Sequence, residues 1–329
     1  MKCDAIWVVK PNKIEIRPVE VHDEPYADEV QIDVKACGLC AWDSYLFQGI
    51  SGPGDPPYPI GHEAAGIVTK VGSLVKDFKV GDKVSVCSGT DTQEMAKIVN
   101  NKAAGVCHLP DTLTNWADAI YEPTCCVVNL LYKAGIQPGD RVVVVGGGYM
   151  GSLTLQGLVN GSCAGYITCF EKRQERRELA KKIGADFVFD PYSVEGKKHI
   201  EDIVAAGGAD VVIDFGASET GYEVATAVLK DKPGKLVLGS WHRHEMKFDG
   251  TRWHMGGVTV YNLSPMSNAH YFDLVPRCAT LIDKGVYNPG SLVTHVVNYT
   301  DEKLAEVFEK SISKEDGYMK AVISFEDEP

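Results

Sequence analysis

Three short segments in the first 123 residues carry side chains able to hold a metal ion: Cys37-Gly38-Leu39-Cys40, Gly61-His62-Glu63 and Tyr121-Glu122-Pro123. Each alone is unremarkable. A single C-x-x-C with no second pair is weak support for a structural zinc site, and a lone histidine is more often a satisfied core residue than a ligand. Together they supply a thiolate, an imidazole and carboxylates from separated segments. That is the donor type and number of an open catalytic zinc site, in which water or substrate takes the fourth position.

A second constellation lies in the middle of the chain. Arg141-Val142-Val143-Val144-Val145 runs directly into Gly146-Gly147-Gly148-Tyr149-Met150-Gly151, and helix-compatible residues follow. This is G-x-G-x-x-G with a strand before it and a helix after. The first glycine makes the tight turn, the second lets backbone approach a pyrophosphate, and the third lets helix pack on strand; the helix N-terminus attracts the phosphates. An acid, Glu171, ends the next strand twenty residues after Gly151. It would accept hydrogen bonds from adenosine ribose hydroxyls and repel a 2′-phosphate, which favours NAD over NADP. Lys172, Arg173 and Arg176 follow at once. They would suit a 2′-phosphate, yet they also read as the solvated start of a helix, and Glu171 favours the second reading.

The elements that must position these groups fall into two kinds. At 329 residues the chain is long enough for two domains. Up to about residue 120 it reads as short strands broken by turns, with alternation in Ile14–Val19 and Val30–Lys35, further strands at Ala65–Val71 and Asp82–Val86, and a loop at Gly52–Pro57. From about residue 122, strand-like runs at Arg141–Val145, Gly165–Phe170, Ala209–Phe215 and Lys235–Gly239 alternate with helical patterns such as Glu175–Ile183 and Tyr222–Leu229. That alternation indicates βαβ units and a parallel sheet. The tail carries helical patterns at Tyr271–Lys284 and Asp301–Ser311 and a strand at Lys320–Phe325.

Composition excludes several classes. A formal net charge of −12 argues against nucleic-acid binding, which needs a basic face. No apolar run approaches the length of a membrane span. The first residues turn polar too soon for a signal peptide, so a cytoplasmic location is expected. Ten cysteines are too sparse for a disulfide scaffold and are expected as reduced thiols, most of them small core residues.

Taken in order, Gly38-Leu39-Cys40-Ala41-Trp42-Asp43, Gly61-His62-Glu63-Ala64-Ala65-Gly66, Phe78-Lys79-Val80-Gly81-Asp82-Lys83-Val84, the glycine loop and Leu292-Val293-Thr294-His295 resemble the zinc-containing branch of the medium-chain dehydrogenase/reductase superfamily over nearly the whole chain. The resemblance implies an α/β protein: a Rossmann parallel-sheet domain at 124–264 and a mostly-β GroES-like catalytic domain at 1–123 and 265–329. It makes Cys40, rather than Cys37, the zinc ligand, with His62 the second. Asp43 becomes the carboxylate that orients the imidazole, and Glu63 an acid able to enter or leave the coordination sphere. Glu122, in a Glu-Pro context, matches the third ligand of the sorbitol-dehydrogenase-like branch, where simple alcohol dehydrogenases carry a cysteine. Gly216, Gly239 and Asn262 resemble nicotinamide-side positions, and Lys320 a cation that reaches the pyrophosphate.

Two departures from the pattern matter. The four closely spaced cysteines of a structural-zinc lobe are absent, so a single zinc per chain is expected. The Ser or Thr that relays the alcohol proton is replaced by Trp42, whose indole cannot shuttle protons. Tyr45, Ser44 or a water held by Glu63 are the replacements, while Trp42 either stacks on a ring-shaped substrate or packs. The implied reaction is reversible oxidation of a secondary alcohol, such as a polyol, sugar or cyclitol, to its ketone, with zinc polarising the hydroxyl and NAD taking the hydride. The rivals are a zinc-free quinone or enoyl reductase, an isomerase or lyase that uses bound NAD for transient oxidation, and a non-catalytic NAD-binding regulator. By resemblance Val258–Tyr261 would be an edge strand that pairs across a dimer axis, so a homodimer or homotetramer is expected. His242 belongs to an aromatic and histidine-rich stretch, 241–254, expected to line a pocket or an interface.

Overall fold

The computed structural model describes residues 1–88, 93–243, 245–264, 268–315 and 317–326. Strands β1 (Lys2–Lys10), β2 (Lys13–Glu20) and β3 (Glu29–Leu39) lead into helix α1 (Ala41–Phe47). Strands β4 (Tyr58–Pro59), β5 (Ala64–Val71), β6 (Lys83–Val86), β7 (Ile98–Lys102) and β8 (Val106–His108) follow. Helix α2 (Glu122–Ala134) then opens an alternation of β9 (Arg141–Val145), α3 (Tyr149–Gly161), β10 (Tyr166–Phe170), α4 (Gln174–Ile183), β11 (Phe187–Phe189) and α5 (Val194–Ala205). It continues with β12 (Val211–Asp214), α6 (Glu219–Val228), β13 (Lys235–Leu238), α7 (Gly250–Gly256) and β14 (Thr259–Asn262). The tail adds α8 (Val275–Asp283), β15 (His295–Asn298), α9 (Asp301–Ser313) and β16 (Ala321–Ser324).

The chain folds as two compact units, Met1–Cys125 with His270–Asp283 and Asn288–Pro329, and Cys126–Ala269 with Lys284–Tyr287. The second unit reclaims Lys284–Tyr287, which the sequence assigns to the catalytic portion. The reason is local: Tyr287 packs its hydroxyl where a side chain on Gly157 would stand, and Asn160 Nδ2 donates to the Val286 carbonyl at 3.1 Å.

In the first unit β3 is the organising strand, hydrogen-bonded antiparallel to β5, β7 and β16. Its Val30, Ile32 and Val34 are buried with Ile6, Leu46, Met95 and Phe308 in one apolar cluster. β1 was not legible by alternation because Ala5, Ile6 and Val8 are all buried, which breaks the period of two. Helix α1 is strapped to α9: Phe47 and Phe308 meet at 5.0 Å between ring centroids, and the Ser44 and Ser311 hydroxyls hydrogen-bond at 2.6 Å.

The second unit is one parallel sheet in the order β11-β10-β9-β12-β13-β14. This is the doubly wound order whose winding reverses between the two central strands, here β9 and β12, so their C-terminal ends open onto a ligand crevice. Val142–Val145 are buried on both faces, as an all-apolar strand under helices must be. The helical pattern Tyr271–Lys284 proves to be a tight turn, Tyr271–Leu274, followed by α8. Pro276 explains the break, since a ring without an N–H is tolerated only in a helix's first turn. Among the described residues no helix is long and apolar enough to cross a membrane.

Because α1 reaches the core through Phe47 against Phe308, truncating Phe308→Ala should cost about 3–5 kcal/mol of unfolding free energy in urea titration. A loss below about 1 kcal/mol would mean that α9 does not anchor α1.

Candidate functional site

In the first unit two bends of the chain bring the donors together. Cys40 is the N-cap of α1, immediately beyond β3, with extended backbone. Its N–H donates to Asp43 Oδ2 at 2.9 Å, while Asp43 Oδ1 lies 3.6 Å from His62 Nδ1. Asp43 is 0% exposed, so one buried carboxylate holds the cysteine's backbone and faces the imidazole with an oxygen that makes no hydrogen bond. With Nδ1 turned to Asp43, Nε2 is the nitrogen left for a metal, the usual carboxylate–histidine–metal arrangement.

His62 and Glu63 sit in the turn before β5. Gly61 has φ +103°, and a Cβ there would stand 2.3 Å from the Met95 amide nitrogen, so only glycine fits. The turn is zipped to a neighbouring segment by Met95 N–H to Ile60 O at 3.0 Å and Glu94 N–H to Gly61 O at 3.0 Å. Glu94, which sequence reasoning passed over, is buried and accepts from the Ala64 N–H and the Ser88 hydroxyl, each at 3.0 Å. No motif marks it; its role exists only once the turn has formed. Gly38 on β3 makes room for Glu63, because a Cβ would fall 1.9 Å from Glu63 Oε2.

Cys40, His62 and Glu63 each present a ligand atom, and the three atoms lie within 4.8 Å of one another. Burial works against charge on the His62 ring, but Asp43 and the Cys40 sulfur outweigh it and hold its pKa well above the ordinary value. A cation is what this cluster favours. Glu63 Oε2 is ion-paired with the Lys320 ammonium, whereas Glu63 Oε1 is buried with no hydrogen-bond partner. A thiolate, an imidazole nitrogen and a carboxylate oxygen with a spare lone pair fit zinc, whose 2.0–2.3 Å bonds would draw the donors to roughly 3.3–3.8 Å apart.

The remaining expected residues are placed differently. Glu122 is buried at the first residue of α2 and is not part of the three-donor group. Lys320, expected at a pyrophosphate, is 3% exposed with its ammonium on Glu63, because β16 pairs with β3 and puts it across from Cys40. Trp42 is partly buried and packs against the apolar core. Ser44 is committed to Ser311, and Tyr45 is half-buried on the same helix.

In the second unit Gly146, at φ +96°, ends β9, and a Cβ on Gly151 would stand 1.9 Å from the Gly146 carbonyl oxygen. Gly148 caps α3, so Tyr149 and Met150 form its first turn. Glu171, buried at the end of β10, accepts from the Gly147 N–H at 2.7 Å and the Arg173 N–H at 2.9 Å. Each oxygen keeps a lone pair. Arg176 reaches within 3.5 Å of where a Gly148 side chain would start, and burial lowers its pKa; Lys172 is exposed. Gly239 stands against the Phe215 ring with no room for a side chain, Gly216 donates its N–H to Asp214 Oδ1 at 2.7 Å, and Asn262 ends β14.

Sequence reasoning did not foresee a buried pair at this edge. His242 Nε2 lies 2.9 Å from Asp214 Oδ2, and its Nδ1 lies 3.0 Å from the Ser240 carbonyl oxygen. Acceptors on both sides favour the protonated ring.

Fold and donor set together define an oxidoreductase that acts on CH–OH groups. The family model for the alcohol dehydrogenase GroES-like domain matches residues 26–111, and that for zinc-binding dehydrogenase matches residues 150–280. The chain belongs to the zinc-type medium-chain dehydrogenase/reductase superfamily, and its sequence relatives lie in the polyol branch. It is 29% identical to a probable D-xylulose reductase A of Aspergillus terreus, covering 89% of this chain and 90% of that one. It is 27% identical to a sorbitol dehydrogenase of Halalkalibacterium halodurans over 82% of this chain and 85% of that one. The crystal structure of an Escherichia coli oxidoreductase/dehydrogenase of unknown specificity superposes with a TM-score of 0.86 at 22% identity, covering 99% of this chain and 100% of that one.

The Asp214 hydrogen bond raises the His242 pKa against the opposing effect of burial, and the Ser240 carbonyl adds to it. A raised folded-state pKa gives stability that is full below the unfolded value near 6.5 and lost as pH rises through the folded value. Thermal stability should therefore decline as pH rises above about 6.5, and His242→Gln should flatten that part of the profile. Parallel profiles for wild type and variant would refute the charged pair.

Proposed function

We propose that this protein is a zinc- and NAD-dependent dehydrogenase that interconverts a secondary alcohol of the polyol, sugar or cyclitol class and its ketone. The observation that carries this reading is the convergence of Cys40, His62 and Glu63, two half-buried donors and one buried one, on a single point. Zinc bound there supplies Lewis-acid chemistry, lowering the pKa of an alcohol hydroxyl, and NAD supplies the hydride acceptor. Cys40 and His62 hold the ion, with Glu63 and the buried Glu122 as the carboxylates available to it. Asp43 holds the imidazole by Nδ1 so that Nε2 keeps its lone pair. Lys320 neutralises one Glu63 oxygen and leaves the other free. Tyr45 carries the alcohol proton away.

The second unit's part is to bind and orient the dinucleotide. Gly146, Gly148 and Gly151 admit the pyrophosphate to the start of α3 beside Tyr149 and Met150. The spare lone pairs of Glu171 accept the ribose hydroxyls, and its charge repels a 2′-phosphate; Lys172 and Arg176 flank that end. Gly216, Gly239 and Asn262 border the nicotinamide end. A homodimer or homotetramer joined along the outer edge of β14, the terminal strand of its sheet, and a cytoplasmic location complete the reading. Sorbitol dehydrogenase and D-xylulose reductase among the relatives support the substrate class.

A screen of NAD reduction across polyols, cyclitols, sugars and simple alcohols tests the substrate class; turnover confined to simple alcohols would contradict it. Glu171→Gln keeps a carbonyl acceptor but drops the charge. It should move the NAD/NADP ratio of kcat/KM toward NADP by about tenfold, the worth of one hydrogen bond to a charged group. An unchanged ratio would displace Glu171 from the ribose.

A further inference from the structure

Away from that donor group, the first unit buries four more cysteines in mutual contact. Cys87 follows β6, Cys107 lies on β8, Cys125 on α2 and Cys278 on α8, and all four are buried. The Cys87 and Cys107 sulfurs are 3.9 Å apart. Cys125 shares thiol hydrogen bonds with both Cys87 and Cys278, and Tyr271 also bonds to it. The Cys278 sulfur approaches the Tyr121 carbonyl oxygen at 3.9 Å, and the Cys107 sulfur the Ser85 carbonyl oxygen at 3.7 Å. The sulfurs thus run in the order Cys107, Cys87, Cys125, Cys278.

Ordinary core packing places buried cysteines singly among hydrocarbon. Here they come from four separate elements and touch in series. A disulfide is not the natural use of this spacing. Cys87 and Cys107 are diagonal neighbours across the β6–β8 ladder, where Ser85 faces Cys107 and the Cys87 N–H donates to Gly105 O at 2.7 Å. Diagonal positions stand roughly 7–8 Å apart, beyond comfortable disulfide reach. A bridging ion fits without backbone movement, since two metal–sulfur bonds of about 2.3 Å meeting at roughly 116° span the 3.9 Å between the sulfurs.

The number of donors narrows the ion. Among the described residues, the one group of three His, Cys, Asp or Glu whose ligand atoms all lie within 4.8 Å of each other is Cys40, His62 and Glu63. The four thiols therefore form a line and not the closed tetrahedral cage of a structural zinc. Low coordination by sulfur selects a soft monovalent cation of the copper(I) class. The hydrogen bonds from Cys278, Cys87 and Tyr271 also lower the Cys125 pKa against its burial, which eases exchange of a thiol proton for a metal ion.

We propose that Cys87 and Cys107, with Cys125 and Cys278 next in line, form a second metal site that takes a soft, thiophilic cation such as copper(I) or silver(I). Binding exchanges thiol protons for the ion and involves no oxidation or reduction. The four cysteines lie wholly within the first unit, and the site is independent of the dehydrogenase reading.

The test uses the full chain carrying Cys40→Ser and Cys163→Ser, which removes the other metal-site thiol and an exposed one, titrated anaerobically with silver(I) and with copper(I). One equivalent should bind, with thiolate-to-metal absorption in the ultraviolet and a sulfur-only shell by X-ray absorption. Adding Cys87→Ala and Cys107→Ala should weaken binding at least a hundredfold with the circular dichroism unchanged. If that variant does not fold, the single Cys87→Ser variant decides: binding weakened at least tenfold supports the site, and binding equal to the parent's overturns it. Failure to bind an equivalent, or equal affinity in the folded quadruple variant, also overturns it.

Discussion

Asp43 is the carboxylate on which the first unit's chemistry depends. Fully removed from solvent, it accepts the Cys40 N–H with one oxygen and faces the His62 ring with the other. A buried charge of this kind is costly unless paired. Its two partners are the residues that must be brought together, so the same contacts that stabilise Asp43 set the donor geometry. The core follows from this: Phe47 and Leu46, on the same helix as Asp43, are driven into the apolar cluster that holds the helix in place.

Around it the backbone leaves no slack. Gly61 and Gly38 sit where any side chain would collide with Met95 or with Glu63. Lys320 and Glu94 then tie Glu63 and the following residue from opposite neighbours, β16 and the 94–95 segment. The second unit uses the same device. Gly146 and Gly151 touch through a carbonyl, and Glu171 is pinned by two amide N–H groups before any ligand arrives. Both sites are therefore organised in advance, which lowers the entropic cost of binding.

Much of this was legible in the sequence because it is local. The apolar run Arg141–Val145 and the glycine spacing after it dictate a buried strand and an open turn, and the structure has both. Cys40 and His62 could be read as donors by type, and they converge with Glu63, the acid expected to enter or leave; Glu122, expected as the third ligand, is not part of that group. What was hidden depends on long-range pairing. Lys320 looked like a cation for phosphate, and only the β16–β3 register turns it onto Glu63. Glu94 carries no motif, His242 stood among aromatic residues with no sign of its partner Asp214, and the line of four cysteines spans 191 positions between Cys87 and Cys278. Pro276 was visible, yet its position within a helical pattern did not say which side would continue.

Under the proposed function, the point shared by Cys40, His62 and Glu63 holds the zinc on which alcohol oxidation depends. Elemental analysis of the purified full chain, paired with NAD-binding and turnover assays on the wild type and on His62→Ala, tests it most directly. The claim predicts about one zinc per wild-type chain at that site, with zinc and turnover lost together in the variant while NAD binding survives. A variant that keeps both its zinc and its turnover, or a wild type that stays fully active after its zinc is stripped, would contradict it.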